Sequence, residues 1–258
     1  MENKLMIRTD KLTKDYGRFR AVDRLDLEVK AGEIFGFLGP NGAGKTTTIK
    51  MLMGIIKPTS GGIWIGGHNL EKEPELAKAI TGFIPDRPFL YEKLTGEEFL
   101  EFVAGLYKMD IKDARSRMPE LFEFFELKDW ARELIENYSH GMKQRLAFAA
   151  ALLHKPKVII VDEPMVGLDP KGARLIKETF RRLAKRGCGI LMSTHTLEIA
   201  EEVSDTIGII QAGKMIAVGT MDDLRKQARA EDDGRLENIF LTLTGGESIA
   251  PVIQLLKM

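Results

Sequence analysis

The 258-residue chain holds a single cysteine, Cys188. One thiol excludes an internal disulfide, and without a CxxC or Cys/His spacing there is no zinc-type site; this usage suits a reducing cytosol. Cys188 follows Gly187 at the start of an apolar run, so a buried structural role is expected. Net charge is absent too. With 38 Lys and Arg against 38 Asp and Glu, no overall positive field draws the chain to nucleic acid or acidic lipid, and any such partner must be recognised locally. No stretch approaches the roughly 18 to 20 uninterrupted apolar residues that span a bilayer. The best candidate, LAFAAALL from Leu146 to Leu153, stops at His154, Lys155 and Pro156. The first residues lack the apolar stretch of a secretory leader, so export by that route is not expected, and the Asn137-Tyr138-Ser139 sequon carries no glycosylation meaning. There is no internal repeat and no low-complexity linker.

What is present is a sequence of alternating patterns. Leu5 to Val29 alternates apolar and polar residues around Tyr16-Gly17-Arg18, which predicts antiparallel strands. Ile34 to Leu38 is a short apolar run ending at glycine, and Thr46 to Gly54 carries Ile49, Leu52 and Met53 at helical spacing: a strand, loop, helix unit. Ile63-Trp64-Ile65 before Gly66-Gly67 predicts a strand and tight turn, and Gly82 to Pro85 another strand. From Pro88 to Leu153 the period is helical, with Leu94, Phe99, Phe102, Val103 and Leu106 on one face and Leu121, Phe124, Phe125 and Leu127 on another. Val158 to Val161 and Ile190 to Met192 lack polar alternation, as strands covered on both faces do. The pattern predicts a parallel α/β core interrupted by a helical subdomain. Leu236, Ile239, Phe240 and Leu243 form the stripe of a final packed helix.

Three motifs carry chemistry. Gly39-Pro40-Asn41-Gly42-Ala43-Gly44-Lys45-Thr46, continuing to Thr47, fits G-x-x-x-x-G-K-[ST]. Its glycines let backbone N–H groups converge on phosphate oxygens ahead of a helix N-terminus. A chance match in a chain this long is on the order of one per cent at ordinary residue frequencies. Lys45 would neutralise the β- and γ-phosphates of ATP, and Thr46 would ligate Mg²⁺. Asp162 and Glu163 directly follow Val158 to Val161, at the carboxyl end of a buried strand where α/β sheets bind ligands. Alone, such a pair is usually a solvated strand end; behind a phosphate loop, Asp162 is expected to hold Mg²⁺ and Glu163 to polarise the attacking water. Ser139 and Gly141 precede a further helix and make a second anion-binding N-terminus.

Tyr138-Ser139-His140-Gly141-Met142-Lys143-Gln144-Arg145 resembles the signature loop of the ATP-binding cassette family, usually Leu-Ser-Gly-Gly-Gln. The similarity extends over nearly the whole chain. The resemblance implies a P-loop NTPase fold of α/β class: a RecA-like core with an N-terminal antiparallel β subdomain (residues 1–86 and 156–222), an inserted α-helical subdomain (87–155), the cassette ending near 230, and a C-terminal helical tail (231–258). It implies that each ATP lies between the phosphate loop of one cassette and the signature of a partner, here Ser139, His140, Gly141 and Met142 in trans, so that the active form is a dimer. Tyr16, 23 residues before Gly39, resembles the aromatic that stacks on adenine; without that context it is a turn residue. Asp169, in Gly167-Leu168-Asp169, resembles the loop crossing the dimer interface, and His195 the histidine that contacts the γ-phosphate and orients water.

Four positions depart from the family pattern. Tyr138, His140 and Met142 stand for Leu, Gly and Gln, with His140 expected to face solvent, and Asp86 stands where the family generally has a Mg²⁺-ligating glutamine. A carboxylate can still ligate Mg²⁺ but loses the amide's donors, so Asp86 is expected to keep the metal role. In the family a groove between the helical subdomain and the Asp86 loop receives a short helix of a membrane subunit, and Phe89, Leu90 and Tyr91 are the candidates here. The expected function is thus the ATP-hydrolysing subunit of a membrane transporter, peripheral on the cytoplasmic face, working with a second cassette and a separate transmembrane permease. Leu236 to Gly245 resembles the tail of exporter-type subunits. A soluble cassette acting on ribosomes or DNA is the alternative, disfavoured by neutral charge and a single cassette; a nucleotide sensor that does not hydrolyse is the third reading.

Overall fold

The computed structural model describes residues 4–228 and 235–245. In chain order the elements are β1 (Leu5–Tyr16), β2 (Phe19–Lys30), β3 (Ile34–Leu38), α1 (Lys45–Leu52), β4 (Ser60–Ile65), β5 (His68–Asn69), α2 (Pro74–Ala79) and β6 (Thr81–Ile84). There follow α3 (Gly96–Leu106), α4 (Ile111–Phe124), α5 (His140–Leu153), β7 (Val158–Asp162), α6 (Pro170–Lys185), β8 (Gly189–Thr194), α7 (Leu197–Val203), β9 (Thr206–Gln211), β10 (Lys214–Gly219), α8 (Met221–Ala228) and α9 (Leu236–Thr244). Of the expected tail, 231–234 and 246–258 lie outside the described residues.

Two sheets carry the fold. An antiparallel one runs in the order β2-β1-β4-β5, and a six-stranded one in the order β10-β9-β3-β8-β7-β6. In the second, β9, β3, β8, β7 and β6 are parallel and β10 closes one edge antiparallel. The unbroken apolar runs find their explanation here. Successive side chains of a strand point to opposite faces. Ile159 and Val161 of β7, with Ile190 and Met192 of β8, pack under the helices; Val158 and Ile160, with Leu191, pack toward the antiparallel sheet. Burial on both faces removes any polar alternation.

Side-chain caps set the starts of α3, α4, α5 and α6. Thr95 and Glu98 form a reciprocal capping box on α3, Asp110 caps α4, and Asp169 before Pro170 caps α6 through Gly172 N; each such cap contributes about 1 kcal/mol. The apolar run Leu146–Leu153 lies in α5 and is buried throughout, as a helix apolar all round must be. Among the described residues no helix is long and apolar enough to cross a membrane. α9 buries Leu236 and Ile239 in a cluster with Leu38 and Ile209, beneath the strand that feeds the glycine loop. Cys188 is buried, and burial pushes its thiol up to about 12, so it is an inert core residue.

Three sequence expectations need correction. The predicted α3 stripe is only half buried: Phe99 is in the core, whereas Phe102 and Leu106 are exposed. Leu90, grouped with Phe89 and Tyr91 as a docking candidate, is a core residue, while its two neighbours are exposed. The helix expected after Gly141 starts at His140, with Ser139 as its cap and Gly141 inside the first turn.

Candidate functional site

Parallel register brings the predicted site residues into one row. Leu38 lies opposite Thr194, Asp162 opposite Ser193 and Ile84 opposite Val161, so the chain leaves β3, β8, β7 and β6 on the same edge, with Gly39, His195 and Glu163 in the first position beyond their strands and Asp86 in the second. The common cleft there has a volume of about 680 Å³ and is lined by Tyr16, the Asn41–Thr47 segment, Asp86, Asp162, Glu163 and His195, among others. That is within the usual range for small-molecule sites.

The floor is the loop between β3 and α1. Gly44, at φ 111, precedes α1, whose first turn has no side-chain cap and no acidic residue, so its N–H groups stand open to an anion. Two glycines are obligatory for steric reasons. A Cβ on Gly39 would lie 2.4 Å from the Ile210 carbonyl oxygen, and one on Gly44 would lie 2.5 Å from that of Ala21. Both contacts are with backbone, which cannot step aside. Lys45 is buried, and its Nζ donates to the carbonyls of Gly39 at 2.6 Å and Pro40 at 3.3 Å. Burial lowers its pKa, and the charges of Glu163 and Asp162 oppose that fall. The ammonium is therefore held among carbonyls at the head of the loop.

The acidic wall is made by β7 and β8. Thr46 Oγ1 donates to Asp162 Oδ2 at 3.1 Å. Glu163 Oε2 accepts from Thr194 Oγ1 at 3.1 Å, and Glu163 Oε1 lies 2.8 Å from His195 Nδ1. The Glu163 backbone sits at φ 50 while its N–H donates to Ser193 O at 2.9 Å. A left-handed conformation costs a non-glycine residue about 1 to 2 kcal/mol, and here it turns the carboxylate back over β8 toward the cleft. Thr194 Oγ1 also accepts from Thr196 N at 3.0 Å, which orients the hydroxyl toward the carboxylate.

The rim holds the remaining predicted residues. Tyr16 is exposed at the β1–β2 turn with Phe19 beside it, and Lys14 Nζ lies 5.2 Å from the Tyr16 ring centre. Asp86 is exposed at the end of β6, next to Arg87. Ser139 Oγ accepts from Met142 N at 3.3 Å. His140 is exposed and borders the cleft, with its ring against Gly167, where a Cβ would come within 2.6 Å. Asp169 is placed by its capping bond to Gly172 N at 2.9 Å. Tyr138 is explained by a glycine far away in sequence. Its hydroxyl donates to Trp130 O at 2.6 Å and lies 2.5 Å from where a Cβ of Gly96 would stand, too close for any side chain there. Sequence reasoning missed Thr194, Phe19 and Arg87; only Thr194 had a signal, as the hydroxyl between a buried strand and His195.

The ABC transporter family model matches residues 22–166. The chain is 41% identical over 219 residues to the linearmycin resistance ATP-binding protein LnrL of Bacillus subtilis (strain 168), covering 85% of this chain and 70% of that protein. It is 43% identical over 225 residues to the bacitracin transport ATP-binding protein BcrA of Bacillus licheniformis, covering 87% and 72%. A solved ATP-binding subunit of an ABC transporter superposes with a TM-score of 0.87 at 34% identity, covering 92% of this chain and 99% of that one. A dimeric bacterial ABC transporter cassette superposes at 0.76 with 26% identity, covering 84% and 99%. The fold is therefore that of a P-loop NTPase, and the class is a nucleotide-binding cassette. The chain belongs to the ABC transporter family, as an ATP-binding cassette whose ATPase activity is coupled to transport; the reading as a soluble factor of ribosomes or DNA is set aside. Cassettes of this family dimerise and work with transmembrane permease subunits.

Proposed function

We propose that the chain is the ATPase subunit of an exporter, and that two cassettes close around ATP to drive a separate permease. The supporting observation is the meeting of three residue groups in one cleft: Lys45 under the glycine loop, Thr46 with Asp162, and Glu163 with Thr194 and His195. In this reading the loop N–H groups from Gly39 to Thr47 and Lys45 hold the β- and γ-phosphates, which replace the two carbonyls now bonded to the ammonium. Adenine stacks on Tyr16. Glu163 accepts a proton from the attacking water, and Thr194 and His195 fix the carboxylate's orientation. The exporter assignment draws on the relatives named for linearmycin resistance and bacitracin transport.

The donor set fits Mg²⁺. Thr46 and Asp162 are hard oxygen donors already in contact, Asp86 borders the same cleft, and among the described residues no cluster of three His, Cys, Asp or Glu makes an all-protein site. That is the expected pattern for a cation that takes its other ligands from phosphate and water. When bound, Mg²⁺ neutralises charge on the phosphate oxygens.

The composite site needs a second copy. Ser139, His140, Gly141 and Met142 would meet the partner's γ-phosphate, and Asp169 would cross the interface, its capping of α6 making that loop stiff. Phe89, Tyr91 and Phe102 form an exposed aromatic cluster, with ring centres 5.8 and 5.1 Å apart in edge contacts, near the Asp86 loop. This cluster is the surface on which a helix of the permease docks, holding the cassette to the cytoplasmic face of the membrane. Dilution tests the central claim. Mg-ATP turnover per chain rises with concentration in step with the dimer fraction measured by light scattering; constant turnover from a chain shown to be monomeric refutes it.

A further inference from the structure

On the far side of the parallel sheet, at the amino ends of β7 and β8, α4, α5 and α6 enclose a pocket of about 540 Å³. Its walls carry Arg117, Lys155, Lys157, Arg182 and Arg186 against a single acid, Glu120. The whole chain has equal numbers of basic and acidic residues, so this excess is local. The carboxyl ends of α5 and α6 explain part of it, since each contributes about half a negative charge. Glu178 offsets Arg182 at 2.9 Å. With Glu120, these negative contributions leave a surplus of roughly two positive charges.

The interior of the pocket has a different character. Leu121, Phe124 and Leu183 are partly exposed into it, beside buried Leu152 and Pro156. Its polar groups are already engaged. Thr179 Oγ1 donates to Leu175 O at 2.8 Å, Cys188 Sγ to Gly189 O at 3.7 Å, and Arg117 to the carbonyls of Leu153 at 2.9 Å and Leu152 at 3.2 Å. Nothing on this floor reads a sugar or a base edge. Lys155, Lys157 and Arg186, also among the lining residues, are exposed.

We propose that this pocket binds an anionic amphiphile, with its phosphate or carboxylate head among Lys155, Lys157 and Arg186 and its hydrocarbon body along Leu121, Phe124 and Leu183. The head could belong to a free amphiphile or to an anionic phospholipid, and the test separates these sources. Titration calorimetry of the full chain with n-decyl phosphate, below its micellar range, should give saturable binding at one site per chain. Lys155→Gln, Lys157→Gln and Arg186→Gln should each weaken it about twofold, and together about tenfold, with ATP affinity unchanged as the check on folding. Shortening the tail should weaken binding by up to about fourfold per methylene. Binding of phosphatidylglycerol vesicles that n-decyl phosphate competes away and the triple variant lacks identifies a lipid source; absence of vesicle binding, with decyl phosphate still bound, identifies a free amphiphile. The proposal fails if decyl phosphate does not bind, if inorganic phosphate or decanol binds equally well, if tail length has no effect, or if the triple variant binds like wild type.

Discussion

Glu163→Gln separates hydrolysis from binding. The carboxylate is held by Thr194 Oγ1 at 3.1 Å and by His195 Nδ1 at 2.8 Å, on a backbone fixed at φ 50. Glutamine keeps the shape and the reach, so the strained turn is retained, but an amide cannot take a proton from water. A positioned general base contributes about 10² to 10⁴ in rate, or roughly 3 to 5 kcal/mol of barrier, and turnover should fall by that factor. The substitution also removes a negative charge facing the phosphates, so ATP affinity should hold or tighten, and the ATP-bound dimer should accumulate instead of cycling. The assay is Mg-ATP hydrolysis at concentrations where light scattering shows the dimer, paired with nucleotide binding by fluorescence. A rate within about threefold of wild type, well short of the range for a general base, with binding intact would remove Glu163 from the mechanism. A lost rate together with lost binding would instead make Glu163 part of the binding site.

Other consequences follow from particular contacts. Tyr16→Ala should weaken ATP binding about five- to tenfold, since stacking of a base on an aromatic ring contributes roughly 1 to 3 kcal/mol and Tyr16 is partly exposed, while kcat at saturating ATP stays near wild type; an unchanged Kd would leave Tyr16 a turn residue. Tyr138→Phe removes the 2.6 Å bond to Trp130 O and should lower stability by about 1 to 2 kcal/mol, read as a shift in urea midpoint with no change in the slope of the transition. Gly44→Ala should abolish nucleotide binding, because its Cβ would meet the Ala21 carbonyl oxygen at 2.5 Å and φ is 111; binding retained at wild-type strength would contradict the loop geometry. His154, stacked on Tyr107 with ring centres 3.6 Å apart, has its pKa lowered by burial to about 4, with the Thr81 backbone opposing and Arg117 assisting. The unfolded imidazole takes its proton near pH 6.5 and the folded one near 4, so the unfolded state binds more protons between them and stability falls as pH drops through that window. After allowance for partial exposure, the loss should be about 1 to 2 kcal/mol by pH 4.5, and smaller in His154→Phe when urea midpoints at pH 7.5 and 4.5 are compared.

The parts of the cleft that could be read along the chain are those whose chemistry is local. The glycine spacing before Lys45, the carboxylates after Val158 to Val161, and Ser139 ahead of α5 each lie within a few residues and one change of backbone direction. The unalternating runs at β7 and β8 likewise carried their burial on both faces in their composition. Residues that depend on a distant neighbour could not be read this way. Thr194 acquires its role from Glu163, 31 positions away, and Tyr138 is admitted only because Gly96 lacks a side chain. Helical periodicity placed Phe99, Phe102 and Leu106 on one stripe, but the stripe is wider than the surface that α4 and α5 cover, so its outer residues remain exposed.

By itself the sequence determined that this protein folds as a parallel α/β core with a helical insertion and carries a phosphate loop followed by an acidic pair, because strand period, loop sterics and charge order are properties of short segments. Tertiary structure decided which of the remaining residues act together. The register of four parallel strands delivers Gly39, Asp86, Glu163 and His195 to one edge, and three helices meeting at the opposite edge gather dispersed lysines and arginines around an apolar floor. Neither gathering is encoded at any one position: each arises where separate segments pack to bury their apolar faces, and the polar ends left at the sheet's two edges are what form the nucleotide cleft and the basic pocket.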